Sequence, residues 1–281
     1  MEIITDIGEM QSRGLGWRRE DRKTVLVPTM GYFHPGHVSL MEYGRGAGDP
    51  LVVSLFVNPA QFGPAEDLDR YPRDFDRDCR MAREAGVDVI FAPTPEQVYP
   101  PHYQTYVNVE DLTRGLCGAS RPGHFRGVAT VVLKLFNLVQ PQVAIFGEKD
   151  YQQLVTIQRM VQDLDVPVEV VGRPIVREAD GLAMSSRNTY LTPTERQHAL
   201  CLVQALRAAQ TAAAAGERRG AAMVAAARAI LDRTPGVKID YLSLVDPRTL
   251  DAVEFLRGAA RLAVAVWLGK TRLIDNALIE E

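Results

Sequence analysis

Two histidines, His34 and His37, lie three residues apart in the segment running from Pro28 through Thr29, Met30, Gly31, Tyr32, Phe33, Pro35 and Gly36, after an apolar run and before a helical pattern. At that spacing two imidazoles can share one helical face. Aimed at one point, they can donate hydrogen bonds to a phosphoryl group as negative charge grows during transfer. A turn between strand and helix is also where an open parallel sheet places its ligand crevice. Main-chain N–H groups at such a helix start are expected to be unpaired, and the helix dipole adds partial positive charge, so phosphate oxygens are favoured there. Gly31 and Gly36 remove side chains where a nucleotide would approach closely. A packed or surface histidine pair is the plain alternative. Zinc is another, but no matching set of Cys, His and carboxylate accompanies the pair.

Three more polar segments follow candidate strands or turns. Gly147, Glu148, Lys149 and Asp150 end one strand and precede a helix. There Lys149 can neutralise phosphate charge, and Asp150 can either bind a ribose hydroxyl or simply cap the helix. Gln153 lies one helical turn beyond Asp150, consistent with a neutral side chain pointing back to the same place. Gln61, after the strand that ends near Val57, offers both donor and acceptor to a small polar substrate, although an exposed loop glutamine often does nothing specific. Met184, Ser185, Ser186, Arg187 and Asn188 put two hydroxyls and a guanidinium in one loop, able to close over a triphosphate or to form a polar turn before the helix at Pro193. The chain has no G-x-x-x-x-G-K-[ST] and no G-x-S-x-G, which excludes a P-loop and a serine-hydrolase elbow.

The elements that must position these groups follow a βα rhythm between Thr24 and Asp150. Strands are expected at 24–27, 51–57, 87–91 and 143–146. Helices are expected at 37–45, 73–85 and 151–164, and on the face formed by Val128, Val131, Val132, Leu135 and Phe136. Beyond Arg173 the composition shifts to alanine-rich stretches from Pro193 to Leu231, read as two close-packed helices broken near Gly216 and Gly220. Three short strands follow, at 239–245, 262–267 and 272–279. The fold class is therefore α/β, a parallel-sheet domain over residues 1–174 with a smaller α+β domain over 175–281.

Bulk properties narrow the function. The 281 residues are 46% hydrophobic and 24% charged, an ordinary globular composition. Thirty-two basic and thirty-five acidic side chains give a formal net charge of −3, with no global attraction to nucleic acid or anionic lipid. Cys79, Cys117 and Cys201 are odd in number and widely spaced, so neither a disulfide framework nor a zinc knuckle is indicated, and a reducing cytoplasm is the simplest home. No secretory signal is visible, and no apolar run reaches the ~18 residues of a membrane span.

Taken together and in order, PTMGYFHPGH, FVNPAQF, RPGHFRGV, FGEKDYQQ and DGLAMSSRN resemble the pantothenate synthetases, the pantoate and beta-alanine ligases, from about Thr24 to the C-terminus. H-x-G-H alone indicates only the wider nucleotidyltransferase superfamily, with its cytidylyltransferases and class I aminoacyl-tRNA synthetases. The resemblance implies a Rossmann-like N-terminal domain binding ATP and pantoate, a C-terminal lid, Mg2+ with the ATP, and a homodimer. It also implies activation of (R)-pantoate as pantoyl adenylate, then attack by beta-alanine. It makes His37 the expected catalytic donor, with His34 and Lys149 beside it, and lays Met30, Gly31, Tyr32, Phe33, His34, Pro35, Gly36 and His37 along the ATP. Gly147, Glu148, Lys149, Asp150, Val176, Met184, Ser185, Ser186 and Arg187 would complete the ATP site. Gln61 and Gln153 would hold pantoate, Gln61 also lying near beta-alanine. Phe33 stands where many members carry leucine. Residues before about Lys23 match poorly and receive no function. Magnesium ligands do not transfer cleanly: Asp74, Asp76 and Asp78 are candidates, with a solvated helix face the preferred reading. The rivals are a cytidylyltransferase, which would consume CTP, a tRNA-synthetase-like fragment, which lacks a basic RNA-binding region, and a non-catalytic nucleotide sensor.

Overall fold

Val25–Thr29, Leu51–Leu55 and Val143–Gly147 are short apolar runs rich in valine and isoleucine, the pattern of strands covered on both faces. In the computed structural model, which describes residues 1–64 and 66–281, they are the interior of a parallel sheet. In chain order the elements are β1 (Glu2–Ile4), α1 (Ile7–Arg19), β2 (Val25–Thr29), α2 (Pro35–Ala47), β3 (Leu51–Leu55), α3 (Phe75–Glu84), β4 (Val89–Phe91), α4 (Pro95–Val98), α5 (Leu116–Ser120), α6 (His124–Val139), β5 (Val143–Gly147), α7 (Tyr151–Asp163) and β6 (Glu169–Arg173). There follow α8 (Pro193–His198), α9 (Cys201–Ala214), α10 (Gly220–Leu231), β7 (Val237–Val245), β8 (Ala259–Leu268) and β9 (Thr271–Glu280).

Contacts divide the chain into two compact units. The first is Met1–Glu110, Arg121–Glu148 and Gln153–Pro174; the second is Asp111–Ser120, Lys149–Gln152 and Ile175–Glu281. Besides the division after Pro174, two short inserts, 111–120 and 149–152, group with the later residues. Lys149 and Asp150 therefore belong to the second unit, whereas Gly147 and Glu148 belong to the first.

The first unit is built on a parallel sheet of order β1-β4-β3-β2-β5-β6, with Val25 opposite both Leu51 and Val143. Its core joins Val25, Val27, Phe33, Met41, Leu51, Val53, Ile90 and Ile145. The edge strands β1 and β6 and the helix α1 were not anticipated. Both strands lie at sheet edges, where exposed residues blur the pattern: Glu2 and Ile3 are exposed in β1, and Glu169 in β6. Helix α1 is mostly polar and buries only Met10, Gly14 and Trp17. Gly14 lets it lie against α6, since a Cβ there would sit 2.6 Å from the Val139 carbonyl oxygen.

The second unit packs α9 and α10 on an antiparallel sheet of order β7-β8-β9. The alanine-rich region holds three helices rather than two. The additional break falls at Ala199 and Leu200, after the first helix begins on a capping box of Thr192 and Glu195. Among the described residues no helix is long and apolar enough to cross a membrane. All three cysteines are buried thiols.

Candidate active site

His34 is not on the helix face but is the N-cap residue of α2, with extended backbone (φ −136°, ψ 171°). Its Nδ1 accepts the Gly36 N–H at 3.1 Å, while the Nδ1 of His37 accepts the His34 N–H at 3.3 Å. The two rings thus form a reciprocal capping box, the histidines standing where Ser and Glu usually do. Their centroids are 4.1 Å apart at 43°. A ring nitrogen that accepts a main-chain N–H carries no proton, so each neutral ring bears its hydrogen on Nε2 and presents that edge as a donor.

The expectation of unpaired main-chain N–H groups at this helix start is corrected. Gly31 N–H donates to Thr29 Oγ1, Tyr32 and Phe33 to Asp78, His34 and Gly36 to the two imidazoles, and His37 to the His34 carbonyl; Pro35 has none. Side-chain acceptors outcompete water for these donors. The turn therefore presents no cradle of open main-chain amides. The Phe33 side chain is fully buried in the first unit's core, its ring centroid 5.5 Å from that of His37.

Asp78, on α3, overturns the reading of a solvated acidic face. It is 1% exposed, and its Oδ2 and Oδ1 accept the Tyr32 and Phe33 N–H groups at 2.6 and 2.7 Å. Those residues turn the chain from β2 into α2 through two successive left-handed positions, Gly31 at φ 84° and Tyr32 at φ 52°. Burial pushes the Asp78 carboxyl above its usual range, against the pull of the two N–H bonds. Asp74 is engaged as the N-cap of α3, accepting the Arg77 N–H, and Asp76 is exposed. These three carboxylates do not form a cage for Mg2+, and among the described residues no group of three or more metal-binding side chains occurs.

Gln61 is held from every side. After β3, Asn58 caps a single 3-10 turn, Pro59–Gln61, and donates from Nδ2 to Gln61 Oε1 (3.2 Å) and to the Gly127 carbonyl (3.1 Å). The Tyr99 hydroxyl donates to Asn58 Oδ1 at 2.8 Å, which fixes the orientation of the Asn58 amide. Burial pushes the Tyr99 phenol well above its ordinary value and keeps it a donor. With its Oε1 occupied, Gln61 turns its NH2 toward Met30 Sδ, 3.1 Å away. The Gln61 carbonyl oxygen can only accept, so His124 Nδ1 at 2.8 Å carries a proton; His124 Nε2 then accepts from Arg121 Nη1 at 3.2 Å. Arg121 also reaches the Gln61 carbonyl at 3.3 Å and forks onto Glu66. Burial alone would raise the Glu66 carboxyl, but the Arg121 fork outweighs it and holds the group below its usual range.

The remaining expected residues fall in known places. Gln153 is half-buried on α7, whereas its neighbour Gln152 is structural, accepting the Cys117 N–H and donating to the carbonyls of Leu112 and Gly115 within the second unit. Gly147 and Glu148 close β5 in the first unit. In the second, Lys149 Nζ lies 3.6 Å from Asp150 Oδ2, and Asp150 is exposed. The Met184 N–H donates to the Val176 carbonyl at 3.0 Å, so those two expected residues face each other across a hairpin. Ser185 then caps the turn 186–190 through the Arg187 N–H, and Ser186 is buried.

Comparison with known proteins decides what family owns this arrangement. The family model for pantoate-beta-alanine ligase matches residues 2–278. The chain belongs to that family. Pantothenate synthetases of Desulfatibacillum aliphaticivorans and Geobacter sulfurreducens are 56% identical over 280 residues and 54% identical over 281, covering all of this chain and 100% and 99% of theirs. The crystal structure of pantothenate synthetase from Thermus thermophilus superposes with a TM-score of 0.94 at 48% identity, over 99% of each chain. That of the Francisella tularensis pantoate-beta-alanine ligase, complexed with beta-gamma ATP and beta-alanine, gives 0.81 at 32% identity, over 99% of this chain and 97% of that one. The match begins at residue 2, so the first 23 residues belong to the pantoate-beta-alanine ligase pattern too, contrary to the sequence reading. They supply β1 and α1. Asn58, Asp78, Tyr99, Arg121 and His124 are the supports that residue-by-residue reading missed. Asn58, Arg121 and His124 lie inside segments that carried the family resemblance, but nothing in their types showed that they face Gln61.

Proposed function

We infer that the chain is an ATP-dependent ligase that condenses (R)-pantoate with beta-alanine to pantothenate through pantoyl adenylate, releasing pyrophosphate and AMP. The reciprocal histidine cap is the observation that carries the chemistry. It fixes both adjacent rings in the Nε2–H tautomer and pre-orients them, an arrangement suited to a phosphate whose charge spreads in the transition state. The pantoate carboxylate is the nucleophile at the α-phosphorus; an oxygen–phosphorus bond forms as the bond to pyrophosphate breaks. No enzyme nucleophile is required, so positioning and electrostatics carry the rate. In the second step the unprotonated beta-alanine amine attacks the acyl carbon, AMP leaves, and the nitrogen gives up a proton.

In this reading His37 and His34 act on the transferring phosphoryl group, and Met30, Gly31, Tyr32, Phe33, Pro35, Gly36, Gly147 and Glu148 bind ATP. Lys149, Asp150, Val176, Met184, Ser185, Ser186 and Arg187 do so as well, and we assign residues 175–281 the role of a lid during turnover. Gln61 donates its NH2 to pantoate, and Gln153 joins it. Mg2+ arrives on the triphosphate, a common mode for this ion, and no carboxylate of the chain is assigned to it. Homodimer formation and residence in the cytoplasm complete the proposal. Exchange of labelled pyrophosphate into ATP that depends on pantoate tests the first step. Mass detection of pantothenate and AMP on adding beta-alanine tests the second, and exchange without pantoate or with CTP would defeat the assignment. A sizing measurement reads the dimer.

A further inference from the structure

The second unit's groups assigned to ATP come from three separate stretches of chain: Lys149 with Asp150, Val176, and Met184 to Arg187. Two consecutive side chains on β9 tie these stretches together. Asp275 and Asn276 interrupt an apolar strand (Leu273, Ile274, then Ala277, Leu278, Ile279), and each is 3% exposed. A polar pair buried in such a strand is unfavourable unless each group is satisfied. Asp275 accepts both terminal nitrogens of Arg177, at 2.7 and 2.9 Å. Arg177 in turn donates to the Gly181 carbonyl at 3.0 Å and to the Asn276 carbonyl at 3.4 Å, bracketing the hairpin whose two arms are Val176 and Met184. Asn276 donates from Nδ2 to the Lys149 carbonyl at 3.0 Å, and its Oδ1 accepts from Arg261 Nη1 at 2.8 Å. The Arg261 guanidinium lies 3.9 Å from the Tyr151 ring centroid, and the Tyr151 hydroxyl donates to the Pro247 carbonyl at 3.0 Å. The turn bearing Lys149 is thus fastened to the same strand as the hairpin bearing Val176 and Met184.

We propose that Asp275 and Asn276 are positioning residues for adenylate formation, which hold Lys149 and the Val176–Met184 hairpin at one spacing by bonding both to β9. The inference rests on the assignment of Lys149 and that hairpin to ATP made above. Asn276 acts through the Lys149 main chain, and Asp275 through Arg177, whose guanidinium brackets the hairpin.

The decisive variant is Asn276→Asp. It keeps the side-chain shape and the acceptor for Arg261, but sets an oxygen against the Lys149 carbonyl in place of a donor. Pantoate-dependent pyrophosphate–ATP exchange in the full-length enzyme is expected to fall about 10- to 100-fold, as for a misplacement of a binding group by about an ångström. The KM for ATP should rise while that for pantoate stays, a split that general loosening of the fold would not produce. Combined with Lys149→Ala, it should add no further loss, because the two substitutions remove one function. Wild-type exchange in Asn276→Asp, or losses that multiply in the double variant, would overturn the proposal. Wild-type exchange in Lys149→Ala alone would instead defeat the ATP assignment of Lys149, and the inference with it. Should Asn276→Asp fail to fold by circular dichroism, Asn276→Ala, which adds no charge, is carried through the same cycle.

Discussion

The carboxylate of Asp78 accepts the main-chain N–H groups of both Tyr32 and Phe33, at 2.6 and 2.7 Å, from a helix 45 residues further along the chain. The two N–H groups flank the point at which the backbone leaves β2 and swings into the histidine cap. Asp78→Asn keeps one acceptor and turns an NH2 against the other donor. Adenylate formation is expected to fall by about 10- to 100-fold through displacement of the rings. Single-turnover measurement of pantoyl adenylate checks this; an unaltered rate would show that the loop holds its shape without the clamp.

Asp78 and Glu66 should leave opposite marks on the pH dependence of stability. The Asp78 carboxyl is raised by burial, so its contribution is present below the ordinary carboxylate pKa and is lost as pH rises through the raised value. Glu66 is held low by Arg121, so its contribution is present above the ordinary value and is lost as pH falls through the lowered one. Urea unfolding from about pH 3 to about pH 7, a range spanning ordinary carboxylate values, reads both. The stability of wild type relative to Asp78→Asn should shrink as pH rises, and that relative to Glu66→Gln should grow.

Capping and chemistry can be separated at His34. Asparagine is among the best N-caps, so His34→Asn keeps an acceptor for the Gly36 N–H while removing the Nε2 donor. Stability should change by less than about 1 kcal/mol, the usual size of a cap, whereas adenylation should fall by about 10²- to 10³-fold. Thermal melts beside single-turnover kinetics make the comparison.

Gly127 is where α6 meets the turn carrying Gln61. A Cβ there would sit 2.2 Å from the Ala60 carbonyl oxygen and 2.7 Å from the Gln61 nitrogen, both main-chain atoms with little room to yield. Gly127→Ala is expected to cost about 1–3 kcal/mol in urea unfolding. The KM for pantoate should rise more than that for ATP, because Gln61 is displaced while the histidine cap is not.

What the residues reveal unaided follows how local their causes are. Strands β2, β3 and β5 are written in continuous apolar runs, and the histidine pair stands out by its strand-turn-helix setting. Edge strands β1 and β6 carry exposed charge and lose that pattern. Asp78 sits among Asp74, Asp76, Arg77 and Arg80, which by composition read as solvated. Yet it neighbours Cys79 and precedes Ala82 by four residues, and both are buried on α3. That periodicity is the signal which, given more weight than charge, would have turned Asp78 inward. The capping of α2 by its own imidazoles was not readable either, because histidine has no strong capping preference and the N-cap position depends on the left-handed turn before it.

Residues 149–152 belong with the carboxy-terminal part of the chain although β5 just before them and the rest of α7 after them do not. Any chimera that grafts the last hundred residues of one relative onto the body of another would therefore separate Lys149 from the strand that holds its carbonyl. A workable graft has to carry 111–120 and 149–152 along with the carboxy-terminal piece, or else recreate at the new junction the pairing that Asn276 makes.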